Sequence, residues 1–368
     1  MRGIAFLLLF ISFFTVAQPV EKKVVNAYLP LWKTWQVNDI PASQLTHVTL
    51  AFASISDDHK AIIEESERYT SQMRQVVSLK QAHPTLKVIL SVGGGEANGF
   101  SDMALTTQRR QVFIQSLLSL VETYDLDGVD IDWEYPGHDG WGKKVARESD
   151  KENFTALIIE LRTAFDALEA KTTKHYELSY AAGTQYWSYA GTEVKKVSQY
   201  VDYINLMGYD LFGPWGNMAA HHANLHANPA NPLNPIISVD DAVKRYIEMG
   251  VPREKILLGA PFYGYGWSGI EKGESALFQY ADQPLLNAME YKYIRQKYSK
   301  DEGFTFHWDN HTKSGYLENG ETFISFDGPR ALAEKARYVK DEKLAGVMVW
   351  ELTQDFNHEL ITSLSESL

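Results

Sequence analysis

Eight short aliphatic or aromatic runs recur along the chain, most of them followed by a longer stretch with helical spacing, and this alternation constrains the fold more than any other feature. The runs are VVNAYLP (24–30), HVTLAFAS (47–54), KVILSVGG (87–94), DGVDIDWEY (127–135), ELSYAAG (177–183), YINLMGY (203–209), ILLGAPFYG (256–264) and GVMVWEL (346–352). Between them lie patterns such as RRQVFIQSLLSLVETY (109–124) and PRALAEKARYVKDE (329–342), whose apolar residues return every three to four positions. Strands alternating with crossover helices lie parallel. About eight such units suit a closed (β/α)8 TIM barrel of the α/β class better than an open doubly wound sheet, and no Gly-rich phosphate loop follows the first run. The rhythm breaks between the seventh and eighth runs, from about 270 to 322, where tyrosines, Trp308 and the turn cluster LENGET predict a small inserted subdomain.

The first residues set Arg2 before an apolar run from Ile4 to Val16 and then small Ala17, the layout of a secretory signal peptide cut after Ala17. A membrane anchor is the competing reading, but the run is shorter than the roughly 20 residues a span requires. The expectation is a secreted or periplasmic protein, free of the membrane once the signal is removed, with residues 18–368 as one interrupted domain. Cys is absent, so core packing rather than disulfides must hold it. A net charge of -12 argues against nucleic acid or an anionic membrane as partner and favours a neutral or cationic ligand. A monomer is expected.

In DGVDIDWEYP (127–136), Asp130, Asp132 and Glu134 alternate with Val129, Ile131 and Trp133. Strand side chains alternate faces, so the three carboxylates share one face, with neighbours roughly 6 to 7 Å apart at the backbone. Like charges on an inward face cost energy, and at least one should hold a proton near neutral pH, which supplies a general acid. Glu134, nearest the barrel mouth, is the candidate. A hard-cation site and a merely solvated edge strand compete with this reading. A cation would draw further oxygen ligands from other loops, and the sequence offers none, so neither metal nor cofactor is expected.

At this motif the chain resembles glycoside hydrolase family 18, whose D-x-x-D-x-D-x-E is matched by Asp127, Asp130, Asp132 and Glu134. SVGG (91–94), MGYD (207–210), PFYG (261–264) and VMVWEL (347–352) resemble the family's segments on the third, sixth, seventh and eighth strands. The interruption before FDGPRA falls where chitinases with an α+β insertion carry theirs. The resemblance implies a chitinase acting on β-1,4-linked N-acetylglucosamine with retention, the substrate's own acetamido group serving as nucleophile. Carried over, Glu134 protonates the leaving oxygen, Asp132 orients the acetamido group, Asp130 shares a proton or hydrogen bond with Asp132, and Tyr209 binds the acetamido oxygen. Asp210 contacts the neighbouring sugar and Trp350 floors the subsite. Tyr28, Phe52, Gly94, Trp133, Tyr135, Met207, Trp215 and Tyr263 complete the implied substrate-side set. Tyr265 stands where the family often has Arg, and Gly208 where Thr is frequent.

Trp32, Trp35, Trp141, Trp187, Trp215, Trp267 and Trp350 fall at or after strand ends, where an aromatic trough for pyranose rings would lie, although loop tryptophans also serve as packing anchors. His222 and His226 are spaced for a metal on a helix but lack an acidic or Cys partner nearby. Ser91 has no G-x-S-x-G context and reads as a hydroxyl bracing the backbone. Two rivals use the same frame, an endo-β-N-acetylglucosaminidase on glycoprotein glycans and a chitin-binding lectin. The lectin typically lacks the catalytic acid, and Glu134 is present.

Overall fold

The structure, a computed structural model, describes residues 23–64, 66–270 and 275–368. The expected signal segment therefore lies outside the described residues. Seven barrel strands precede the insertion: β1 (Val24–Pro30), β2 (His47–Ile55), β3 (Lys87–Gly93), β4 (Gly128–Asp132), β5 (Glu177–Ala182), β6 (Tyr203–Leu206) and β7 (Ile256–Pro261). Five strands follow in the insertion, β8 (Tyr263–Ile270), β9 (Ala281–Glu290), β10 (Thr305–Asp309), β11 (Ser314–Glu318) and β12 (Thr322–Phe326), and β13 (Gly346–Trp350) returns to the barrel. β1 pairs in parallel with both β2 and β13, so β1 to β7 and β13 close into an eight-stranded parallel barrel.

Strands covered on both faces need continuous apolar runs, and β1, β4, β5 and β7 are buried along their whole length. The flanking helices include α1 (Glu67–Ser78), α2 (Thr107–Thr123), α3 (Asp150–Thr172) and α4 (Val239–Glu248). Ser66, Thr106 and Ser238 start α1, α2 and α4 by accepting a hydrogen bond from the amide three residues on, a cap worth about 1 kcal/mol each.

The insertion is an antiparallel sheet in the order β9-β8-β12-β11-β10, with the short helix α5 (Tyr291–Lys297). It spans 263–326, wider than the 270–322 break in rhythm, because its first and last strands are as buried and aliphatic or aromatic as barrel strands. Its inner face, Trp267, Tyr316 and Phe323, packs against His221 after β6. Two lysines fasten it. Lys33 Nζ reaches Glu290 at 2.5 Å and Glu351 at 2.7 Å, joining β9 to the end of β13. Lys335, on α6 (Pro329–Asp341), forms a fully buried pair with Asp327 just past β12.

Candidate active site

Parallel register builds the inner part of the site. Ser91 on β3 and Ser179 on β5 stand directly beside Asp130 on β4. Ser91 Oγ and Tyr28 Oη donate to Asp130 Oδ2 at 2.7 and 2.8 Å, and Ser179 Oγ and Asn205 Nδ2 donate to Oδ1 at 2.7 and 2.9 Å. Four donors fill the lone pairs of a carboxylate. Burial raises the Asp130 carboxyl while these bonds pull it back down. One expectation is corrected: Ser91 braces a carboxylate rather than the backbone.

One layer outward, Asp132 is 4% exposed and its Oδ1 has no hydrogen-bond partner among the described residues. Burial, then the Glu134 and Asp130 charges, push its carboxyl well above the ordinary range. Glu134 lies just beyond the last ladder residue of β4, half-buried at the barrel mouth. Burial raises it too, but Lys144, Tyr135 and the Asp132 hydrogen bond pull it down, and Asp210 pushes it up.

Lys144 had no signal in the sequence. It sits ten residues beyond Glu134 in an irregular loop, and its Nζ bonds the Gly95 carbonyl at 2.6 Å and the Glu134 carbonyl at 3.2 Å. Its charge faces both Asp132 and Glu134.

Tyr209 is buried beside these carboxylates, and among the described residues its hydroxyl finds only the weak acceptor Met348 Sδ at 3.8 Å, which leaves it available to a ligand. Asp210 keeps an exposed face, with φ 57°, yet burial of its carboxyl among the surrounding side chains pushes it up to about 6 against the pull of the Tyr263 and Tyr265 hydroxyls. Tyr263 Oη donates to Asp210 Oδ1 at 2.6 Å, so Tyr263 positions that carboxylate from the first insertion strand. Tyr265, the departure from the family's Arg, thus keeps a polar link between insertion and barrel.

Trp350 ends β13 with Phe52 stacked at 5.6 Å, Tyr28 edge-on at 5.5 Å and Trp32 at 6.3 Å. Trp32 is 42% exposed and extends this aromatic floor. Met207 is half-buried against the same cluster as Trp350 and Tyr28. Gly94 supports the floor: its amide donates to the Asp132 carbonyl at 2.9 Å, and a Cβ there would meet the Phe52 ring at 2.6 Å. Tyr135 joins Glu134 to Trp187, whose ring lies 5.4 Å away.

Several expected sugar contacts are packing residues. Trp133 stacks on Phe100 at 5.2 Å and meets Phe154 edge-on, on the helix side of β4, with its back to the site. Trp267 is fully buried in the insertion, and Trp35 Nε1 bonds the Pro30 carbonyl at 2.8 Å. Trp215 is 65% exposed and leans on Tyr265. Segment 221–226 is not helical, so His222 and His226 lack the expected spacing on one face. His222 is buried between Tyr263 and Tyr265, and burial with the Lys335 charge drives it down to about 3, whereas His226 turns to Asp240.

The chain matches Glycosyl hydrolases family 18 over residues 24–355. It is 30% identical to chitinase A1 of Niallia circulans over 96% of this chain, and it spans 59% of that protein's length. Among solved structures, it is similar to a family 18 N-acetylglucosaminidase from Paenibacillus barengoltzii, with TM-score 0.87, 34% identity and coverage of 94% of this chain and all of that one. It is also similar to a chitinase-like agglutinin from Robinia pseudoacacia, with TM-score 0.81, 28% identity and coverage of 93% and 98%.

Proposed function

The chain belongs to glycosyl hydrolases family 18, and from that membership we propose that it is a chitinase cleaving β-1,4-linked N-acetylglucosamine with retention, through its substrate's own acetamido group. The observation that carries this reading is the buried, unpartnered Asp132 Oδ1 beside the available Tyr209 hydroxyl. Leaving a buried carboxylate oxygen unsatisfied is costly, so the pocket is complete only when a ligand N–H arrives. An acetamido group offers an N–H for Asp132 and a carbonyl oxygen for Tyr209.

With the sugar seated over Trp350, the acetamido N–H takes the Asp132 oxygen and a proton held between Asp132 and Glu134 passes to Glu134. Glu134 then protonates the glycosidic oxygen as the C1–O bond breaks and the acetamido oxygen bonds C1. The leaving chain departs with a free hydroxyl, and the positive ring left behind is stabilised by the Asp132 carboxylate. Water attacks C1, gives its proton to Glu134 and releases the acetamido oxygen. Holding the nucleophile within the substrate supplies a large effective concentration without a second enzymic nucleophile. The likeness to an agglutinin makes the fold alone indecisive, and the reading as an enzyme needs Glu134.

The test is early-time hydrolysis of chitin oligosaccharides by the parent and by Glu134→Gln, with anomers resolved by NMR. Retained β-products from the parent and near-silence from the variant are expected. Inverted products, or binding without cleavage by the parent, would overturn the reading. We further propose export with loss of residues 1–17, leaving 18–368 as one interrupted catalytic domain, and a monomer. A mature protein that begins at Met1, or a dimer in sedimentation, would refute these.

A further inference from the structure

The loop that follows Glu134 carries aromatic rings that the catalytic steps leave idle. Trp141 is 76% exposed, with φ 58°, between Gly140 at 59° and Gly142 at 81°. A bulky residue in the left-handed region is an outlier, and such strain concentrates at ligand contacts. Its indole meets Trp187 at 5.1 Å and His138 at 4.9 Å, and His138 meets Trp187 at 4.9 Å. Trp187 is itself 41% exposed and continues to Tyr135, the residue after the acid.

The platform is anchored to the chemistry. The aliphatic part of Lys144 lies under Gly140, where a Cβ would meet its Cγ at 3.2 Å, while its Nζ holds the carbonyls of Gly95 and Glu134. Lys143 and Lys144 amides bond the Asp139 carbonyl at 3.0 and 2.8 Å, and the Gly140 amide bonds His138 Nδ1 at 3.0 Å. The tip that carries Trp141 is thereby fixed relative to Glu134.

Position on the barrel gives its direction. Trp350, Tyr28, Phe52 and Trp32 sit over β13, β1 and β2, whereas Trp141 and Trp187 follow β4 and β5, across the barrel mouth. A chain with one sugar over Trp350 and its glycosidic oxygen at Glu134 runs onward toward the second group. We propose that Trp141, Trp187 and His138 form a binding platform for the leaving-group side of the chain, stacking neutral N-acetylglucosamine rings beyond the cleaved bond. This rests on the chitinase reading.

The experiment compares the parent with Trp141→Ala and Trp187→Ala on two probes: chitohexaose, which reaches the platform, and 4-nitrophenyl diacetylchitobioside, whose leaving group is one aryl ring. Trp141→Ala should lower kcat/KM on the hexamer roughly ten-fold, mainly through KM, and change the aryl substrate less than about two-fold. Products from a reducing-end-labelled hexamer should shift toward shorter labelled fragments. Trp141→Phe should restore most of the loss. Equal losses on both probes, or no loss on the hexamer, would overturn the platform. A parent that cleaves neither probe would overturn the chitinase reading instead. Hexamer binding to Glu134→Gln with and without Trp141→Ala, followed by calorimetry, then reads the platform independently, and unchanged affinity counts against it.

Discussion

At the N-terminal end of the barrel, Glu177 meets His47 Nε2 at 2.7 Å and also pairs with Lys87, and Asp127 lies 3.1 Å from Lys80 Nζ and 2.8 Å from Lys174 Nζ. At the C-terminal end of the same sheet, five residues along the strand from Asp127, Asp132 faces two further carboxylates and leaves an oxygen unpaired. Burial alone would raise the Glu177 carboxyl, but its contacts with His47 and Lys87 hold it below the usual range, whereas Asp132 and Glu134 are both held above it. One end spends its acids on stability and the other stores them against it.

The sharpest way to break the contrast is Glu134→Gln, expected to lower kcat/KM about 10³-fold with the melting temperature unchanged or higher. A lowered melting temperature would mean that Glu134 is a structural residue. Asp132→Asn should cost about 10²-fold in kcat yet stabilise the fold. A raised folded pKa means the native state binds the proton more tightly, so the parent loses stability as pH rises from the unfolded value near 4 through the folded one. The stability gained by the variant should therefore grow with pH over that window, and a gain constant with pH would refute the assignment.

Glu177→Gln should do the reverse, destabilising by roughly 2 to 3 kcal/mol at neutral pH while the activity of the folded protein stands. Because the Glu177 pKa is depressed, its contribution is present above the unfolded value and fades as pH falls through the folded one. Urea titrations of the two proteins should thus converge in acid. The smallest effect expected is from Lys144→Met: losing that charge raises the Glu134 pKa and moves the alkaline limb of the kcat/KM profile upward. A limb that stays or moves down would remove Lys144 from the electrostatics of the acid.

Much of this was legible in one sequence, and the reasons are physical. Period-two alternation put Asp130, Asp132 and Glu134 inward, and the same alternation put Trp133 outward; including Trp133 among the sugar contacts went against that rule, and the structure upholds the rule. Cross-strand register is not written in any single strand, so the convergence of Ser91, Ser179 and Asn205 on Asp130 could not be read locally. Lys144 acts from a loop without periodicity, where spacing carries no information about direction. The insertion boundary slipped by several residues because YGYGWSGI has the same burial demand as a barrel strand.

The footing of the insertion has a consequence for transplantation. Glu290 and Asp327 stand at its two inner corners, and each is keyed to a lysine of the barrel, with Lys33 also gripping Glu351 next to Trp350. A graft that exchanged this wall for another without acids at both corners would leave Lys335 buried without its counterion and free the peg that steadies the residue beside the aromatic floor. The wall and the floor are inherited together.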